Sequence, residues 1–157
     1  MGSKAVVLLA EGFEEIEALT IVDILRRAGV DLVTAGVGGL EITGAHGVTV
    51  LADIWLEDAP RDGDAVILPG GMPGSEHLAV PEVADLVRAY ADAGKIVAAI
   101  CAAPALALSP TGVIDGLRVT CYPGFEAAFP ASVERRVDAV VEDGQVITSR
   151  GPGTAHR

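Results

Sequence analysis

The residues of this sequence best suited to chemistry are a cysteine at a strand end, a run of glutamates and a pair of adjacent glycines. Cys101 follows the apolar run Ile96 to Ile100 and precedes Ala102-Ala-Pro104, so it falls where a buried strand turns into a helix. At such a turn the thiol projects outward, and the positive end of the following helix can stabilise a thiolate. An inert, small core residue is the alternative for a lone cysteine. Its place at the end of a central strand, with Ala102 and Ala103 leaving room around it, favours the nucleophile.

Gly70 and Gly71 follow Leu68-Pro69. Without side chains, their amides can approach a bound oxygen as an oxyanion site requires, or they can simply make a tight turn. Glu14, Glu15 and Glu17 open a helix, where acids suit the dipole, and periodicity does not choose among them. His46 and His77 lie in loops and His156 is penultimate. With no metal-ligand spacing and no orienting partner in sequence, all three are expected at the surface, and no metal is expected. Cys121, at the end of a short strand, is expected to be structural. The glycine-rich loops fit neither a dinucleotide fingerprint nor a phosphate loop, so no nucleotide cofactor is expected.

These residues need a scaffold, and the apolar pattern supplies one. Ala5 to Ala10, Asp64 to Leu68 and Ile96 to Ile100 are continuous apolar runs, the signature of strands covered on both faces. Ala18, Ile21, Val22 and Leu25 share one helical face, and that helix ends at Arg26-Arg-Ala-Gly29. Val30 to Ala35 predicts the next strand, completing a β-α-β unit. Leu40 to Leu51 predicts a hairpin or short strands. Pro81 starts a helix reaching Ala93-Gly94. Ala102 to Leu108 predicts a helix halted by Ser109-Pro110. Val119 to Cys121 predicts a short strand and Phe125 to Phe129 a helical turn. Val137 to Val141 and Gln145 to Thr148 flank Asp143-Gly144 as a second hairpin. Alternating strands and helices predict an α/β doubly wound, mostly parallel sheet, in which the loops after the first, third and fourth buried strands converge at the carboxyl ends.

Length and composition agree. The 157 residues suit a single domain spanning 1–157, with no linker or repeat dividing it. Half the residues are hydrophobic and only 4% aromatic, so the core is built from aliphatic side chains. A net charge of -11 argues against nucleic acid as a partner. Ala5 to Ala10 is too short to cross a membrane, and two cysteines without a signal peptide predict reduced thiols in a cytoplasmic setting.

Four segments in order, Ala10-Glu-Gly-Phe-Glu-Glu-Ile-Glu17, Leu68-Pro-Gly-Gly71, Ala98-Ala-Ile-Cys-Ala-Ala-Pro104 and Thr148-Ser-Arg-Gly-Pro-Gly-Thr154, closely resemble the ThiJ/PfpI superfamily. The resemblance is nearest its DJ-one branch, that of the Parkinson-disease-associated protein deglycase, and runs from about Val6 to Ala155. It implies a flavodoxin-like sandwich of the class I glutamine amidotransferase-like type, usually a homodimer. It further implies Cys101 as nucleophile, Glu17 as the protonated acid bonded to its sulfur, and Gly71 and Ala102 as oxyanion amides. A raised Glu17 pKa is part of that expectation, since an ionised neighbour would repel a thiolate.

The sequence departs from the family in three places. Ala102 stands where protease-like members carry a histidine, which removes a Cys-His dyad. Tyr122 stands where human-type members carry another histidine; it is a candidate for positioning substrate, phenols being poor bases at neutral pH. The long C-terminal helix that follows Gly151-Pro-Gly-Thr154 in the family has no counterpart before Arg157, which predicts bare apolar sheet surface. The resemblance implies a cysteine-dependent, cofactor-independent glyoxalase or deglycase acting on a small carbonyl substrate such as an α-oxoaldehyde. The alternative is a redox sensor or chaperone-like stress protein in which a low-pKa Cys101 is oxidised.

Overall fold

The computed structural model describes residues 2–157. In chain order the elements begin with β1 (Lys4–Ala10), α1 (Glu15–Arg27), β2 (Asp31–Val37), a hairpin of β3 (Glu41–Thr43) and β4 (Thr49–Leu51), and β5 (Ile54–Trp55). Next come β6 (Ala65–Leu68), α2 (Gly74–His77), α3 (Pro81–Asp92) and β7 (Ile96–Ile100). The chain closes through β8 (Arg118–Val119), β9 (Glu134–Arg135), β10 (Val140–Asp143) and β11 (Val146–Ser149).

The main sheet runs β10-β11-β7-β6-β1-β2-β5, parallel throughout except for β10, which is antiparallel to β11. This is the flavodoxin-like, doubly wound α/β fold. The unbroken apolar run of β1 follows from burial on both faces. Val6, Leu8 and Ala10 join the core under α3, with Val83, Leu86, Val87 and Tyr90. Ala5, Val7 and Leu9 point the other way, against Phe13 and against Ala18 and Val22 of α1. Each such fully buried Val or Leu contributes about 1.5–3 kcal/mol relative to exposure. The winding reverses between β1 and β6, and a crevice at the carboxyl ends of strands is expected at such a point.

The structure differs from the sequence reading in local detail. The β3–β4 hairpin forms, but β5, a two-residue edge strand parallel to β2, was not anticipated. The strand expected at Val119 to Cys121 is confined to Arg118–Val119 and pairs in parallel with β9. After Cys101 the chain does not form a regular α-helix. It makes a π turn over Pro104–Leu108 and a 3-10 turn over Ser109–Thr111, ending at Gly112 with φ of 77° rather than at Ser109-Pro110. Pro110 has no N–H with which to carry an α-ladder beyond Leu108, and the chain closes in a short 3-10 turn.

At the end of the described residues, a 3-10 turn over Pro152–Thr154 adjoins an open apolar groove lined by Ile21, Ile67, Ala98, Ile100, Ile147 and Ala155. No helix among the described residues is long and apolar enough to cross a membrane.

Candidate active site

Three loops meet beyond the ends of β1, β6 and β7. Backbone hydrogen bonds lace the first two together: the Glu14 amide donates to the Gly70 carbonyl (2.8 Å) and the Gly74 amide to the Gly12 carbonyl (3.2 Å). Gly71 has to be glycine for this approach. Its φ is 101°, and a Cβ there would run into the backbone of Gly12, Phe13 and Glu14.

Cys101 sits at the elbow with φ of 66°, the one non-glycine residue with positive φ among those described. That conformation costs on the order of 1–3 kcal/mol and persists where surrounding contacts dictate it. Here they come from both sides. The Cys101 amide donates to the Ser149 carbonyl on β11 (2.9 Å), and its carbonyl accepts from the Tyr122 amide (2.8 Å). Cys101 as a whole is 9% exposed.

Glu17, in the first turn of α1, is fully buried at 0% exposure. Its Oε2 accepts a hydrogen bond from the Gly70 amide at 2.9 Å, while Oε1 has no hydrogen-bond partner. A side chain at Gly70 would collide with Cys101 Cβ, Glu17 Oε2 and the Ile100 carbonyl oxygen, so the absence of a Cβ is what lets the acid and the cysteine meet. Burial, seconded by the charge of Glu14, lifts the Glu17 carboxyl to about 7, against lowering by the Cys101 thiol and the Gly70 amide. Burial likewise pushes the Cys101 thiol up to about 12, helped by the Glu17 charge and hydrogen bond and opposed by the Gly71 and Ala102 amides.

The structure therefore brings together Cys101, Glu17 and the Gly71 and Ala102 amides, and it chooses Glu17 where helix periodicity left three glutamates equivalent. Glu14 instead caps α1, its Oε2 accepting from the Glu17 amide at 2.7 Å. Glu15 turns to the hairpin. Two expectations about Cys101 and its surroundings need correction. The resting thiol is not of low pKa, because it is buried beside an acid. Nor does a helix dipole serve it: the following turn is five residues of π geometry, and the groups facing the sulfur are two individual amides. Of the glycine pair, the Gly70 amide is committed to Glu17, leaving Gly71 to face the thiol.

Tyr122 touches Cys101 through its backbone amide. Its ring is 45% exposed, stands edge-on to Phe125 at 6.4 Å and packs beside Gly151. Cys121 is buried at 2% exposure, and burial first, then the Glu126 charge, raises it to about 11.

Two of the three histidines have orienting partners after all, brought from 31 and 66 positions away. His46 bonds through Nδ1 to Glu15 Oε2 at 2.9 Å, and His77 Nδ1 donates to the Glu11 carbonyl at 2.7 Å. Glu14, Glu15 and His46 form the one convergent group of potential metal donors among the described residues. They are engaged with one another and with backbone amides, and we assign them no metal role. Nothing in the spacing of Gly70, Glu14 or His46 announced their parts; the glycine pair was the available signal for Gly70.

A doubly wound sheet that places a strained cysteine and a buried acid in the crevice of its winding reversal defines a flavodoxin-like α/β protein of the cysteine-elbow type. The chain belongs to the DJ-1/PfpI family, whose profile matches residues 3–157. It is 40% identical to Protein DJ-1 homolog B of Arabidopsis thaliana over 96% of its length, spanning 35% of that relative. It is 35% identical to the Glutathione-independent glyoxalase DJR-1.2 of Caenorhabditis elegans, covering 98% of this chain and 82% of the relative. Among solved structures, that of Drosophila melanogaster DJ-1beta superposes with a TM-score of 0.94 at 41% identity, covering 99% of this chain and 86% of that one.

Proposed function

We propose that this protein is a cofactor-independent glyoxalase-type enzyme that converts α-oxoaldehydes, or closely related early carbonyl adducts, to 2-hydroxy acids through Cys101. The observation that carries the reading is the buried Glu17 carboxyl beside the Cys101 thiol, with its pKa lifted to about 7. A group titrating there both accepts and returns protons near neutrality. The name of the nematode relative supports the substrate class.

In this mechanism Sγ bonds to the aldehyde carbon and the thiol proton passes to Glu17. The new alkoxide is held by the Gly71 and Ala102 amides. Glu17 protonates that oxygen, takes the hydrogen of the former aldehyde carbon as a proton and returns it to the neighbouring ketone carbon, while the hydroxyl proton on the former aldehyde oxygen passes to the former ketone oxygen, leaving a thioester. One carbon is oxidised as the other is reduced, so no external redox partner is needed. Water then cleaves the thioester, releasing the hydroxy acid and restoring the thiol.

The raised thiol does not obstruct this scheme. Part of its elevation comes from the Glu17 charge, which vanishes whenever Glu17 holds the proton. Redox sensing has less support, because it needs a thiol ionised at rest. Tyr122, exposed at the rim, is assigned to substrate positioning. A cytoplasmic homodimer of one domain is part of the proposal, supported by family membership and by the exposed Ile16, Leu19 and Leu51.

Methylglyoxal consumption with stoichiometric lactate formation tests the reading. Cys101→Ala abolishes it, and Glu17→Gln slows it by about 10²–10⁴-fold, the usual share of a general acid–base group. Unchanged turnover in Cys101→Ala overturns it.

A further inference from the structure

The turn joining β3 to β4 carries His46 across to the start of α1. The His46 amide donates to Glu15 Oε1 at 2.7 Å, and its Nδ1 lies 2.9 Å from Glu15 Oε2 and 3.8 Å from Glu14 Oε1. Glu15 also accepts from the Val48 amide, at 3.3 Å. Glu14 is bound in turn to the Glu17 amide through its other oxygen. Contacts thus join an imidazole that is 71% exposed to two nearly buried carboxylates, and one of these, Glu14, reaches the backbone amide of the buried acid beside Cys101.

We infer that His46 is a positioning residue whose charge, acting through Glu14 and Glu15, governs how tightly Glu17 holds the proton it shares with Cys101. This deepens the reading of Glu17 as proton carrier and rests on it for its functional meaning. The charged and titratable groups facing His46 are Glu14 and Glu15 of the α1 start; those facing Glu17 are Glu14 and Cys101.

The direction follows from electrostatics. A protonated His46 offsets the two carboxylates, so Glu17 feels less negative potential and releases its proton more readily. A neutral His46 leaves them uncompensated, and Glu17 holds its proton more tightly. The Glu15 hydrogen bond and charge, then Glu14, hold His46 above the usual imidazole range, and Glu17 lies at about 7. Loss of either proton therefore hinders loss of the other. The titration of Glu17 is thereby spread over a wider pH interval than that of an isolated acid. The coupling is reciprocal by linkage: whatever His46 does to Glu17, Glu17 does to His46.

The test follows the two titrations by NMR in the full chain, independently of turnover. His46→Gln raises the Glu17 midpoint by about 0.3–1 unit, the size expected for one charge acting across a partly solvated separation. His46→Lys, which keeps a positive charge without the imidazole, lowers it relative to His46→Gln. Glu17→Gln lowers the His46 midpoint by a matching amount. A merely structural role moves Glu17 equally in both His46 variants, and that result overturns the inference. So does a His46 midpoint indifferent to Glu17→Gln, a readout that leaves His46 itself unaltered. Absence of glyoxalase turnover would defeat the proposed function while leaving these titrations to decide the coupling.

Discussion

Glu17 and Cys101 meet across Gly70: the glycine amide holds one oxygen of the acid, and its missing side chain leaves the space in which acid and thiol face each other. The pair is costly to the fold. A buried carboxyl with one unpartnered oxygen, beside a cysteine in left-handed backbone, stores strain that the surrounding sheet must overcome.

That cost gives Glu17 a defined pH signature. Its folded pKa of about 7 lies above the ordinary carboxyl value of 4.5. The protonated form is thus favoured by folding, and the stability it contributes is complete below about pH 4.5 and lost as pH rises to about 7. The loss amounts to about 3 kcal/mol, at 1.36 kcal/mol per unit. Glu17→Gln, permanently neutral, is expected to be more stable than the parent above pH 7 and nearly equal at pH 4, by urea unfolding at both values. It should also move the Cys101 alkylation midpoint downward, since a neutral amide replaces the charge that raises the thiol.

Gly70→Ala forces a Cβ into Cys101 and Glu17. Overpacking of this kind costs about 1–3 kcal/mol, and the denaturation midpoint should fall accordingly. Separation of the pair should show as a lower Glu17 midpoint by NMR, because a carboxyl moved outward regains water.

The elbow strain is measurable by comparing Cys101→Gly with Cys101→Ala. Glycine ordinarily destabilises relative to alanine. At φ of 66° the order reverses, and the glycine variant is expected to be more stable by about 1 kcal/mol in chemical denaturation.

Tyr122→Phe should change turnover little, because the contact with Cys101 runs through the backbone amide. Removing the ring in Tyr122→Ala is expected to raise KM for methylglyoxal several-fold with kcat nearly unchanged, as steady-state kinetics will report. This is the pattern for a group that binds substrate and transition state alike.

Much of this was legible before folding. The apolar runs that became β1, β6 and β7 carry their own instruction, since a strand buried on both faces can have few polar residues. The Gly-Gly pair and the cysteine after Ile100 marked the ends of those strands, and strand ends are where a doubly wound sheet gathers its loops. The shortest elements were harder to read: β5 and β9 escaped notice and β8 was placed too far along the chain, because two residues each are too few for a period.

What the sequence determined by itself was therefore the sheet, the elbow and the candidate set of groups. Which glutamate faces the thiol, that Gly70 serves Glu17 rather than a ligand, that the thiol is raised instead of lowered, and that His46 reaches Glu15 were decided only by the tertiary structure. These depend on contacts between positions 31, 53 and 84 residues apart, and on burial created when three loops close together. Ionisation responds to that burial and to charges a few ångströms away, neither of which exists until the chain has folded.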